Sequence, residues 1–392
     1  MINKERRYTL THYLAGALPA RLGDEMSGQA ILLIGIAANS VTLGSKLLAG
    51  LTFAAALGGP LLGAVLDRSK QPSKVLSAAI VLYAAGLAVV TASLNYTPVW
   101  ASIGLAFCAG LFMPAISGGW SSRLKSFIAD EHMPRASAID ATTFNIAGLA
   151  GPALAGLIAA WLGADWAVVI LIILLVTALP MAWKLPKRTS NRSSSISFAQ
   201  TIRAGFKVIF TKKPLLRITI VSVVSYLGIG MLWVITPLVG QKLCGDVGYG
   251  GVLMSVLSLS ALAATLAYAK WPSRHSPDSI VLSSTVLLGL AMLLLAFADT
   301  AALAIIAMFI AGLADGPQLA AIFTVRHREA PEHVRSQVFT TGASLKITAA
   351  AIGAALAGYT ASSSLEWTIA IACMVQFAAA LLFMCIAPAR EP

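Results

Sequence analysis

Charge is what this chain has least of. Only 11% of its 392 residues are Asp, Glu, Lys or Arg, against 58% hydrophobic, where a soluble domain carries about 25% charged residues. That excludes a water-soluble globular protein and leaves a polytopic membrane protein. Cysteine is also scarce. Cys108, Cys244, Cys373 and Cys385 make no CxxC pair, so neither a disulfide framework nor a thiolate metal site is encoded. The five histidines (His12, His132, His275, His327 and His333) fall in loops or at the ends of apolar runs. No His/Asp/Glu cluster has metal-ligand spacing inside a run, so no metal and no cofactor is expected and an intramembrane enzyme is unsupported. A GxxxxGK[ST] loop is missing, which argues against a nucleotide-driven pump. Nothing reads as a soluble signalling domain, which disfavours a non-transporting sensor or scaffold. The first apolar run holds charges and continues into a second, unlike a cleavable leader.

What is present is a series of apolar runs of bilayer length. Spans 1 to 6 are expected at about 11–37, 41–66, 74–94, 99–121, 137–162 and 165–184. Spans 7 to 12 follow at about 215–240, 248–270, 278–298, 301–324, 336–361 and 366–387. The expectation is an all-α membrane protein of twelve transmembrane helices in two pseudo-symmetric six-helix bundles. Residues 1–186 form the first, 187–214 a linker and 215–392 the second. In the linker, 187–195 reads as flexible. Phe198, Ile202, Phe206 and Ile209 then recur at helical spacing with Arg203 and Lys207 between them, as in an amphipathic helix lying on a leaflet.

The net charge of +12 invites a nucleic-acid reading, but its distribution opposes one. Of the 28 Lys and Arg, 24 fall on one side of the twelve-span scheme: Lys4, Arg6 and Arg7; Arg68, Lys70 and Lys74; Arg123, Lys125 and Arg135; nine between Lys184 and Arg217; Lys270 and Arg274; Arg326, Arg328 and Arg335; and Arg390. Lys242 alone lies opposite. By the positive-inside rule both termini are cytoplasmic and the chain sits in the cell membrane. The expected partners are the lipid bilayer, protons and a small-molecule substrate, with no nucleic acid, for a monomer. Trp100, Trp120, Trp161, Trp166, Trp183, Trp271 and Trp367 fall near span ends, as an interfacial belt requires. Trp233 falls inside span 7, lining a cavity or packed in the core.

Span 1 holds the densest intramembrane charge. Arg21 is three residues from Asp24 and four from Glu25, so the three share a helical face, extended by Gly28 and Gln29. Isolated charges at the bilayer centre cost about 2.5–3.5 kcal/mol each on insertion scales, so these must face one another, other protein groups or water. Pro19 and Gly23 bracket the cluster. Either a functional site or a buried ion pair locking two helices satisfies the pattern. Further interior charges are Lys46 in span 2, Asp315 in span 10 and Lys346 in span 11, while spans 3, 6, 9 and 12 carry none inside. Lys46 lies close enough to its span end to snorkel. Asp315 and Lys346 form either part of a substrate cavity or a mutual salt bridge. Asn145 sits within one position of the repeat equivalent of Lys346.

That repeat is visible in three motifs. Leu22-Gly23-x-x-Met26 returns as Leu227-Gly228-x-x-Met231. Phe107-x-Ala-Gly-Leu111 returns as Phe309-x-Ala-Gly-Leu313. Glu131-His132 leading into Gly151-Pro152-Ala-Leu-Ala-Gly156 returns as Glu332-His333 leading into Gly353-Ala-Ala-Leu-Ala-Gly358. The offsets run from 201 to 205 and mark a duplication.

Two six-helix halves and a basic centre resemble the major facilitator superfamily over essentially the whole chain. Gly63-Ala-Val-Leu-Asp67-Arg68-Ser-Lys70 looks like its signature between helices 2 and 3, with Lys70 at the second glycine and Gln71-Pro72 where basic residues are usual. Gly148-x-x-Gly151-Pro152-x-x-x-Gly156 resembles the helix-5 signature of the drug/proton antiporter branch, with Ala147 and Ala155 at two usual glycines. The resemblance implies alternating access, a gating role for Gly63, Asp67 and Arg68, and a cavity lined by helices 1, 4, 7 and 10. Arg21, Gln29, Asn145, Trp233, Asp315, Gln318 and Lys346 are its candidate lining. Asp24, Glu25, Arg21 and Asp315 are candidates for proton coupling, since a carboxylate in low dielectric can load and release a proton near neutral pH. One of Asp24 and Glu25 pairs with Arg21 and the other titrates; either assignment fits. The leading expectation is a proton-coupled exporter of small amphipathic organic compounds or drugs, and the alternative a permease for uptake or release of one metabolite. Either substrate charge and either direction is compatible with the residues present.

Overall fold

The computed structural model describes residues 9–38, 41–94, 96–186, 197–271 and 275–386. Lys4, Arg6, Arg7, Lys187, Arg188, Arg192, Arg274, Arg390 and the 187–195 linker lie outside the described residues. The regular elements among the described residues are all helical. Spans 1 to 6 run Leu10–Ala37, Val41–Arg68, Pro72–Ser93, Val99–Ser126, Met133–Leu162 and Ala164–Trp183. Spans 7 to 12 run Lys213–Cys244, Tyr249–Lys270, Pro277–Ala296, Ala301–Glu329, Arg335–Ala361 and Leu365–Cys385. Phe198–Thr211 is a separate helix between them. Among the described residues, 11 helices are long and apolar enough to cross a membrane. The twelfth, span 1, has 28 residues, about 42 Å of helix at 1.5 Å per residue, and carries the three charges.

Local chemistry sets the helix ends. Ser276 and Ser364 cap spans 9 and 12 by accepting the N–H groups of Ser279 and Trp367, each at 3.2 Å. Gly245, at φ +73°, ends span 7 in the left-handed conformation that glycine adopts without penalty. Span 4 is irregular. Its α-helix stops at Gly110, Pro114 has no N–H to donate, and a π-turn over Ala115–Gly119 carries the chain on.

The helices form two compact units that are not contiguous in sequence. One comprises Met1–Asp130, Ile146–Lys207 and Ala330–Ser344; the other comprises Glu131–Asn145, Val208–Glu329 and Leu345–Pro392. The start of span 5 thus groups with second-half helices, and the start of span 11 with first-half helices.

Within the units the repeated motifs do matching work. Gly23 of span 1 admits the Leu171 carbonyl of span 6, and Gly228 of span 7 admits the Gln376 amide of span 12. Gly110 of span 4 rests on the Leu51 carbonyl of span 2, and Gly312 of span 10 on the Leu257 carbonyl of span 8. Gly151 of span 5 rests on Glu25 and Met26 of span 1, and Gly353 of span 11 on the Leu227 carbonyl of span 7. A Cβ at any of these glycines would collide. Close approach at small residues is how helices associate where lipid is as apolar as the side chains.

One expectation needs correction. Trp120 is 0% exposed and packs edge-on to Tyr13, ring centroids 5.7 Å apart, so it is core rather than belt. The six other end-of-span tryptophans are exposed. The helix Phe198–Thr211 is partly covered by protein: Thr201, Gly205 and Ile209 are buried, while Phe198, Arg203, Lys207 and Phe210 are exposed.

Candidate functional site: a charged first span and an acid-capped helix

Span 2 presents Ala55, Gly59, Gly63 and Asp67 at a period of four, one stripe on one face. The start of span 11 lies along it. Ser344 donates its hydroxyl to the Ala55 carbonyl, and Thr340 donates to the Gly59 carbonyl at 2.6 Å. Gly63 leaves room for Thr340 and the backbone of Gln337. At the end of the stripe the buried Asp67 carboxylate accepts the backbone N–H of Ser336 at 3.0 Å and of Gln337 at 2.8 Å. These are among the first N–H groups of the span 11 helix, where an anion is favoured both by direct donation and by the helix dipole. Arg68 turns away and donates to the Thr201 hydroxyl at 3.3 Å.

In span 1, Arg21 is 1% exposed and donates to the Ser121 hydroxyl of span 4 at 2.9 Å and to the Tyr13 hydroxyl at 3.4 Å. Asp24 is half-buried within electrostatic reach of Arg21 and Glu25. On its other side stand Ser27 and Tyr83 of span 3. The Tyr83 hydroxyl donates to Ser27 at 2.8 Å, and Ser27 donates to the Asp24 carbonyl at 2.6 Å. Asp24 Oδ1 is buried with no donor in hydrogen-bond geometry among the described residues, while the Tyr83 hydroxyl stands close enough to interact with the carboxylate. Glu25 is exposed, its Cβ against Gly151. Gln29 is half-buried on the same helix and Lys46 is exposed.

In the other unit, Lys346 Nζ stands 3.6 Å from the centroid of the Tyr226 ring, a cation–π placement, with the half-buried Asp315 within its field. Trp233 is two turns from Tyr226 on the same face of span 7 and 50% exposed, which rules out the packed-core reading. Two candidate lining residues are engaged inside the unit. Asn145 donates its amide to Thr265 of span 8 at 2.9 Å, and the buried Gln318 donates to Thr285 of span 9 at 2.8 Å.

The sequence profile of the transmembrane secretion effector family, MFS_3, matches residues 37–391. The chain belongs to this family of major facilitator transporters. The MFS-type transporter y4rN of Sinorhizobium fredii, strain NBRC 101917 / NGR234, is 25% identical to it, covering 97% of this chain and 95% of that protein. Among solved structures, the human organic anion transporter MFSD10 (TETRAN) superposes with a TM-score of 0.75 at 14% identity, over 97% of this chain and 100% of that one. The E. coli fucose:proton symporter FucP gives 0.75 at 11% identity, over 98% and 100%. These likenesses establish the major facilitator fold.

Within this transporter fold the helix-5 motif divides. Gly151 is buried against Glu25, whereas a side chain at Gly148 or Gly156 would meet open space and Pro152 is exposed. Sequence reading named Asp67 but missed the donors it holds, Ser336 and Gln337. It also missed Tyr83, Ser27, Ser121 and Tyr226, and it passed over Asp140, which is fully buried near the start of span 5. The period-four run Ala55, Gly59, Gly63, Asp67 was the available signal for the clamp.

Proposed function

We propose that this major facilitator transporter is a proton-coupled secondary transporter that exports small amphipathic organic compounds by alternating access. Asp24 carries the coupling proton, and the Asp67 clamp is the gate on the cytoplasmic side. The observation that carries the reading is the unlike surroundings of two adjacent carboxylates on span 1. Asp24 sits against Ser27 and Tyr83 with Oδ1 buried and no donor in hydrogen-bond geometry among the described residues, while Glu25 is exposed beside Gly151. Paired acids in different environments divide their roles. Asp24 Oδ1 is an oxygen on which a proton can reside, and Glu25 is placed to meet what enters from outside the bundle. Arg21, held by Ser121 and Tyr13, keeps a fixed positive charge beside both.

Export is supported by the family's description as secretion effectors and by the helix-5 motif. Proton coupling is in keeping with the printed activity of FucP. An amphipathic substrate fits the half-exposed wall of Tyr226, Trp233, Asp315 and Lys346, which offers aromatic surface and both charges. Membrane orientation follows from the cation distribution. The test is proton release on adding a panel of amphipathic organic compounds to detergent-purified protein. Compounds that bind should displace protons from the wild type and none from Asp24→Asn. Equal release from both would remove Asp24 from the coupling site.

A further inference from the structure

Gln337 is held from two sides. Its backbone N–H is bound by Asp67 Oδ2 at 2.8 Å, and its backbone fills the space left by the absent side chain of Gly63. Its side chain points the other way. Nε2 donates to the Ile202 carbonyl at 2.7 Å, and the amide occupies the place a Cβ on Gly205 would need. Ile202 and Gly205 belong to the helix Phe198–Thr211, which precedes span 7 in the chain. Arg68, the residue after Asp67, holds the same helix through Thr201. Gln337 is fully buried, so neither contact is a loose surface pairing.

We infer that Gln337 is a positioning residue that couples the helix Phe198–Thr211 to the Asp67 clamp, making that helix a latch on the gate. The inference rests on the clamp being the gate. The physical basis is that one residue serves both partners. If Asp67 releases the Ser336 and Gln337 N–H groups and the start of span 11 withdraws, the Gln337 amide is drawn off Ile202 and Gly205. If the helix leaves first, Gln337 loses the contact that fixes its backbone against Gly63. The sequence supports this use. Gly205 is the one position on the buried face of the helix without a side chain, and it lies where Gln337 inserts. A helix packed only through apolar side chains would need neither the glycine nor the amide.

The test uses full-length protein with its four cysteines replaced and a single Thr201→Cys on the buried face of the helix. The readout is its labelling rate by a maleimide in detergent. Gln337→Ala should raise the rate about five- to tenfold, the change that one lost hydrogen bond makes. Asp67→Asn, which in this background reaches the helix through Gln337, should raise it as well, and the double variant should gain less than the product of the two. Gly205→Leu, acting from the helix side, should reproduce Gln337→Ala and serves if that variant folds poorly. A labelling rate indifferent to Asp67→Asn, or effects that simply multiply, would overturn the latch. A purely structural Gln337 would lower the melting temperature and leave labelling at position 201 independent of Asp67. Transport separates the two levels. If Asp67→Asn cripples transport without altering labelling, the latch alone fails; if Asp67→Asn transports normally, the gate itself fails.

Discussion

Asp67 and Gln337 stand 270 positions apart in the chain, and the carboxylate of one accepts the backbone N–H of the other at 2.8 Å. With Ser336 at 3.0 Å, this makes an acid from the end of one helix the N-terminal cap of another. A charged acceptor on backbone donors contributes about 1.5–3 kcal/mol. A contact of that size suits the gate proposed here, which must both form and break.

Asp67→Asn keeps the shape and one acceptor oxygen but removes the charge. Turnover in proteoliposomes should fall at least about tenfold, as losing roughly 1.4 kcal/mol from one state implies. Expression and equilibrium substrate binding should stay near wild type. Transport at the wild-type rate would deny the clamp a gating role.

Gly63 tests the same interface by volume. Its missing side chain is where Thr340 and the Gln337 backbone sit. Gly63→Ala should slow transport, and Gly63→Leu should abolish it by holding span 2 off span 11. Accessibility of a cysteine introduced by Ser336→Cys to a thiol reagent should rise in the same order. A Gly63→Leu protein that transports normally would mean the two helices need not close.

Arg21 is buried with two hydroxyl partners and two carboxylates near it. Arg21→Ala removes the buried cation and its bonds to Ser121 and Tyr13, a loss of about 1.5–3 kcal/mol for a charge-assisted bond. Protein yield and melting temperature should both drop sharply. Tyr13→Phe, which deletes the long 3.4 Å contact and keeps the cation, should melt closer to wild type than Arg21→Ala. Equal melting of Arg21→Ala and wild type would show the charge to be solvated.

The cation asymmetry predicts topology. In the cysteine-free background, Glu131→Cys should react only after the membrane is opened, and Pro98→Cys should react on intact cells with an impermeant reagent. The reverse pattern would invert the orientation and with it the side on which the Asp67 clamp lies.

The elements that could be read from sequence are those with local signals. Span positions follow from hydropathy alone. The glycines of the three repeated motifs proved to make equivalent contacts because each motif is a small-residue contact copied with its partner helix. The signature acid was recognisable, yet its partners were not, since nothing local in Ser336-Gln337 distinguishes a capped helix start from any other. Asn145 reads as a lining residue from its match to Lys346 in the repeat, and Gln318 from its place beside Asp315 in a stretch weakened by Gly316 and Pro317. Each amide also meets a threonine hydroxyl on a neighbouring helix, a pairing visible only once helices are assembled. Trp120 was placed in the belt by its distance from a span end, but it follows a π-turn over Ala115–Gly119 and packs inward against Tyr13. The apolar stripe on Phe198–Thr211 was legible, and what it covers was not.

The most direct test of proton coupling at Asp24 is efflux of an amphipathic organic dye from proteoliposomes under an imposed pH gradient, measured for wild type, Asp24→Asn and Glu25→Gln. Wild type should accumulate dye against its gradient only while the pH gradient lasts. Asp24→Asn should fail to do so yet still exchange dye downhill at a rate within about tenfold of wild type, as expected when binding is kept and coupling lost. Glu25→Gln should keep uphill transport and lose apparent affinity. Uphill, gradient-driven transport by Asp24→Asn at the wild-type rate would contradict the assignment of the coupling proton to Asp24.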